Sequence, residues 1–163
     1  MITQERLKQV LHYDLQTGVF TWKVAPPRKP FLLGNAAGFD VNGYIGICVD
    51  RKKYPAHHLA WLYMTGTWPA DEIDHRDRVK SNNRWGNLRE ATHPQNTRNA
   101  PLTVRNRSGK VGVCWDPVNS KWRAHITVNG KLLCQGRFDD KEAAISARRT
   151  AEQRYFGEFA SAA

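Results

Sequence analysis

Cysteine is scarce. Cys48, Cys114 and Cys134 are the only three in 163 residues, and no two form a Cys-x-x-Cys pair. That spacing excludes a disulfide framework and a zinc ribbon, and the expectation is three small buried hydrophobes in a reducing compartment. No apolar run reaches the roughly 18 residues that a membrane span needs, so none is expected. The opening stretch, MITQERLKQV, lacks the apolar centre of a secretory signal and points to the cytoplasm. Acidic residues are in deficit: 15 Asp and Glu face 25 Lys and Arg, a net charge of +10. A balance of that sign makes a polyanion the first partner to consider. Core material is plentiful. Hydrophobic residues make up 40% of the chain, with six Trp and six Phe, which excludes global disorder.

The charge is unevenly spread. Residues 1–50 carry five basic and four acidic side chains, residues 51–100 nine and five, and residues 101–163 eleven and six. Between Thr97 and Lys110 stand Arg98, Arg105, Arg107 and Lys110 with no acid, among Asn, Pro, Ser and Gly. This composition predicts a basic linker suited to lie along a phosphate backbone, and a domain boundary with it.

Toward the N-terminus the pattern is mixed. Thr3 is placed to cap a short helix whose Leu7, Val10 and Leu11 share a face. Val19–Lys23 alternates like a strand, and Pro26–Gly34 reads as loop. Asn42-Gly43 between two apolar runs signals a hairpin. A short strand at Tyr54 precedes a helix from His57 to Thr65 that stops at Gly66. Further on, Ile73-Asp74-His75 predicts a strand. It is followed by the polar stretch Lys80–Arg84, a second strand over 87–92, and a helix opened by Thr92 and Gln95 at capping-box spacing.

The run IDHRDRVKSNNRWGNLREATHPQNTRN resembles the motif of the HNH endonucleases, and AHHLAWLYMTGTWP ahead of it resembles the segment preceding that motif in phage and homing-type members. The resemblance implies a ββα-metal fold and falls on four positions. His75 would be the general base that activates water. Asp74 and Asn96 would be metal ligands. Asn87 would pin the loop so that His75 points correctly. Asn96 stands where many members have His, which implies a site unlike a His-rich transition-metal centre. The chemistry agrees: hydrolysis of a phosphodiester needs a proton acceptor near neutral pH and a cation for the departing oxyanion. One carboxylate and one amide carbonyl make an incomplete oxygen shell suited to Mg²⁺ or Mn²⁺. His57 and His58 are expected to pack or to touch phosphate, outside that shell; His93 is also left out of it.

From Gly112 onward the chain resembles an AP2 DNA-binding domain: three antiparallel strands with a helix on one face. Asn119-Ser120 and Asn129-Gly130 mark the turns. Trp122, Ala124 and Ile126 alternate with Arg123, His125 and Thr127, one face core and the other polar. The resemblance implies that Arg123, His125 and Thr127, with Lys131 at the edge, face the DNA major groove. The strand arginines of plant members are missing, so their target sequence is not implied. Trp115 and Trp122 are expected in the core, with base or sugar contact as the alternative.

The expectation is an α+β chain: a leader over residues 1–53, an HNH nuclease motif over 54–100, a basic linker over 101–109 and an AP2-like domain over 110–163. It would be a homing-type, metal-dependent endonuclease in a bacterial or phage-infected cell, cutting double-stranded DNA as a monomer or weak dimer. No small-molecule cofactor beyond the metal and no membrane partner is expected. The alternatives are a DNA-binding regulator with a vestigial nuclease motif, and a structure-directed nuclease.

Overall fold

Leu7, Val10 and Leu11 all turn inward, but from two different elements. In the computed structural model, which describes residues 1–98 and 106–160 except the side chains of Thr97, Arg98 and Glu158, helix α1 ends at Val10. Leu11 opens a strand. Arg105 and the side chain of Arg98, both expected on DNA, lie outside the described residues. The chain divides into two compact units, Met1–Asn96 and Thr97–Ala163.

The first unit begins with α1 (Gln4–Val10), capped as expected by Thr3 Oγ1 accepting from Arg6 N at 3.2 Å. β1 (Leu11–Tyr13), β2 (Phe20–Trp22) and β3 (Ala36–Ala37) form a small antiparallel sheet. β4 (Phe39–Val41), β5 (Tyr44–Val49) and β6 (Lys52–Pro55) form a second. Asn42 and Gly43, both at positive φ, make the tight β4–β5 turn that the sequence predicts. α2 (Ala56–Thr65) ends at Gly66, whose φ of 83° supplies the left-handed cap. β7 (Glu72–His75) and β8 (Leu88–Ala91) pair antiparallel, and α3 (His93–Arg98) follows. The strand, loop, strand, helix order is therefore as read. Ile73 and Leu88 of the β7–β8 pair share one hydrophobic core with Leu7, Tyr13, Phe20 and Leu59. The first 53 residues thus pack into the same core as the stretch that follows them.

In the second unit β9 (Val113–Asp116), β10 (Lys121–Val128) and β11 (Lys131–Phe138) form an antiparallel sheet with β10 central. α4 (Lys141–Phe156) is capped by Asp140, which accepts from Ala143 N at 2.8 Å. Its Ala144 and Ile145 pack on Val113 and Ala124, so the helix covers one face of the sheet as expected. Two expectations fail here. Trp115, on edge strand β9, is 48% exposed rather than in the core. Lys110 is no solvated linker cation: it is buried, 2.8 Å from Glu152, which Arg148 also contacts at 3.1 Å. The buried carboxylate draws both cations inward.

The cysteines also depart from expectation. Cys48 and Cys134 are exposed, Cys114 is half-buried, and all three are free thiols. Cys48 alternates with buried Ile47 and Val49, which puts it on the outer side of β5.

Candidate functional site

β7 carries Asp74 and His75 on adjacent residues, and a strand sends adjacent side chains to opposite faces. Both are buried, at 4% and 6% exposure. Asp74 stands opposite Arg89 of β8, and the guanidinium reaches Asp74 Oδ2 from Nη2 at 2.7 Å and from Nε at 2.8 Å. A carboxylate at this depth needs a counter-charge, and Arg89 supplies it. Glu72 lies two residues back, on the same face as Asp74. It accepts from Asn96 Nδ2 and lies 2.7 Å from His93 Nδ1, and these bonds, Asn96 first, hold its carboxyl below the usual range. Asn96 is thus brought to the Asp74 face of β7 through Glu72. Asn96 pairs with Glu72, and Asp74 with Arg89.

His75 Nε2 sits 3.1 Å from Asn83 Oδ1. Asn87 bonds to the loop rather than to His75. Its Oδ1 accepts from Asp77 N at 3.0 Å, and its Nδ2 donates to Asp77 Oδ1 at 2.9 Å and to Asn82 O at 2.7 Å. Asn87 therefore ties the loop between β7 and β8 at both ends, while the neighbouring Asn83 meets the histidine. Burial raises Asp77, but bonds from Asn82, Val79 N and Asn87 outweigh it and leave the carboxyl below its ordinary range.

Histidines crowd this end of the unit. His57, in the first turn of α2, has its ring 5.1 Å from that of His75 and 4.6 Å from that of His58. Tyr44 stacks at 5.4 Å from His57, with Lys80 Nζ 4.6 Å above the tyrosine ring. Burial first, then His58 and His75, pushes His57 down to about 3, so it is neutral at physiological pH. Burial also lowers His58. A cleft of about 380 Å³ opens here, lined by Tyr44, His57, His58, Glu72, His93 and Asn96 among others. His57 is buried against the rings of Tyr44, His58 and His75, while His58 is half-buried at the cleft.

On the second unit, Arg123, His125 and Thr127 share the face of β10 away from Ala124 and Ile126. Arg123 is half-buried, with Nη2 3.8 Å from Cys114 Sγ, and Thr127 is exposed. His125 is lowered by burial, then by Arg123 and Arg148. Arg123 Nε and His125 Nδ1 are buried without a hydrogen-bond partner. Lys131 stands opposite Val128, hence on the Ile126 side of the pleat, exposed beside the turn rather than on the Arg123 face. Arg107 is exposed.

The sequence reading missed Arg137. It stands opposite Arg123, joins the open face, and its Nε reaches Asp116 Oδ2 at 2.9 Å. Strict alternation from Lys131 puts residue 137 on the other face. Gln135 is skipped in the register between Ala124 and His125, and this bulge reverses the alternation. Gly136, with φ at 137° beside it, was the available signal.

Among the described residues, no group of three or more His, Cys, Asp or Glu side chains is arranged to hold a metal ion, and no helix is long and apolar enough to cross a membrane. Residues 54–98 match a family model described as HNH endonuclease, which points to nuclease activity and a DNA substrate. No curated protein and no solved structure matches the chain.

Proposed function

We propose that the chain is a divalent-metal-dependent DNA endonuclease of the homing type, with the ββα-metal element at β7, β8 and α3 and an AP2-like reader in the second unit. The observation that carries this reading is a buried histidine at the end of β7, beside a buried carboxylate and with its ring held by an amide, inside the stretch matched to HNH endonucleases.

The donor set fits a hard, partly hydrated cation better than a closed thiolate or imidazole site. Asp74 and Asn96 offer a carboxylate and an amide carbonyl. Asn96 turns its Nδ2 toward Glu72, which leaves Oδ1 on the opposite side of the amide. Those two residues would hold the ion, with substrate phosphate and water completing the shell. A Mg²⁺ or Mn²⁺ bound there supplies charge for the developing oxyanion. His75 takes a proton from the attacking water as its oxygen bonds to phosphorus. The bond from phosphorus to the leaving oxygen breaks, and solvent protonates that oxygen. Asn87 keeps the loop, and with it His75, in position. Such chemistry reads phosphate rather than base, so target choice needs a separate surface. The open face of β10 and β11 supports that role, since Arg123 and His125 hold buried nitrogens without partners there.

One observation favours a second reading, a DNA-binding protein that no longer cuts. Arg89 already gives Asp74 its counter-charge. Incubation of the full chain with duplex DNA separates the two. Cleavage with Mg²⁺ or Mn²⁺ that EDTA abolishes supports the endonuclease; DNA binding without cleavage under any divalent ion supports the regulator.

A further inference from the structure

Asn83 is 2% exposed, and both ends of its side-chain amide are engaged. Nδ2 donates to Ser81 O at 3.2 Å, so Oδ1 is the atom that faces His75 Nε2 at 3.1 Å. The reverse orientation would set two acceptors, Asn83 Oδ1 and Ser81 O, against each other in a buried place. With Oδ1 accepting, His75 Nε2 must carry the hydrogen, and a neutral imidazole so protonated has its lone pair on Nδ1.

The backbone around Asn83 is held from another part of the chain. Tyr13 Oη donates to Asn83 O at 2.6 Å. Burial, then Asp14, pushes the Tyr13 hydroxyl above the ordinary phenol range, which keeps it a donor. Arg84 Nε donates to Gln16 O at 2.7 Å, and Trp85 N to Leu15 O at 3.1 Å. Gly18, at φ 74°, lies against the Asn83–Arg84 backbone so closely that a Cβ there would collide with it. All these clamps come from β1 and the β1–β2 turn, outside the stretch matched to HNH endonucleases.

We propose that Asn83 is the positioning residue that fixes His75 as the Nε2-protonated tautomer, so that His75 accepts its proton at Nδ1. Tyr13 and the β1–β2 turn hold Asn83 in place, and residues before position 54 therefore take part in the site. The catalytic meaning rests on the nuclease reading; the tautomer does not.

Long-range ¹⁵N–¹H correlation spectra of the full chain, without metal or DNA and at alkaline pH where imidazoles are neutral, read the tautomer directly. The wild-type His75 should show a protonated Nε2 and an unprotonated Nδ1. Asn83→Ala should draw the two ¹⁵N shifts toward their average. Asn83→Asp, which keeps an acceptor, should retain the pattern, and Tyr13→Phe should move it part of the way. In cleavage, Asn83→Ala should lower kcat by roughly 10-fold or more, within the 10²–10⁴-fold that a general base contributes, with KM little changed. A protonated Nδ1 in the wild type, or an unaltered His75 pattern in folded Asn83→Ala, overturns the proposal. Should Asn83→Ala fail to fold, an unaltered pattern in Tyr13→Phe overturns the clamp. A wild-type chain with the expected tautomer and no cleavage upholds the positioning and refutes the nuclease reading, so the two failures are distinguishable.

Discussion

Asp74 and Arg89 face each other across β7 and β8, both buried, with the guanidinium bound to one carboxylate oxygen at 2.7 and 2.8 Å. Removing only one partner strips a buried charge of this two-point ion pair. Arg89→Met should destabilise the protein by about 3–5 kcal/mol, and Asp74→Asn in the same chain should recover part of it. Urea denaturation of the two single variants and the double variant measures the coupling. Additive effects would mean that the pair is not an energetic unit.

Gly18 is needed for its backbone conformation and for the close approach of Asn83 and Arg84. Gly18→Ala should therefore cost more than the roughly 1 kcal/mol typical of glycine replaced at positive φ, because the β7–β8 loop must also shift. Denaturation reports the cost. A variant as stable as wild type would show that the loop moves freely.

The strands and turns were legible where period and turn chemistry agreed. Asn42-Gly43 announced the β4–β5 hairpin, and the alternation along β10 separated its two faces. Leu11 was misleading: four residues after Leu7, it completes a helical stripe, yet it begins β1, because pairing with Trp22 outweighs local spacing. β3 is two residues long and leaves too short a pattern to read. The bulge at Gln135 hid Arg137. Within the candidate site, Asp74, His75, Asn87 and Asn96 stood out through the resemblance to the HNH motif, but nothing local distinguishes Asn83 from Asn82. Burial against His75 and Tyr13 makes the difference, and that is a tertiary property.

Stability should depend on pH through His57. Its folded value of about 3 lies below the ordinary 6.5, so the unfolded chain binds the proton first as pH falls. The contribution is fully present above about pH 6.5 and is lost as pH drops toward 3, at up to about 1.4 kcal/mol per pH unit. Melting temperatures taken from pH 7 to pH 4 should fall, and His57→Gln should flatten that dependence. An unchanged slope in the variant would assign the effect to other groups.

The two kinds of basic residue should separate in binding assays. Arg123→Ala or Arg137→Ala should relax discrimination at one or two base pairs, with a bidentate contact worth roughly 1–3 kcal/mol. Arg107→Ala should weaken binding to all sequences about equally and reduce the salt slope by roughly one phosphate contact. Affinities for a randomised duplex library at several salt concentrations distinguish these outcomes. Equal losses on every sequence for Arg123→Ala would refute a reading role for that face.

The central claim is that His75 does chemistry rather than recognition. The most direct test measures, for wild type and His75→Ala under identical conditions, the Mg²⁺-dependent rate of duplex cleavage and the affinity for the same DNA. The account predicts a loss of cleavage on the order of 10²–10⁴-fold with affinity little changed. Cleavage at the wild-type rate in His75→Ala, or a parallel loss of affinity that explains the lower rate, would contradict it.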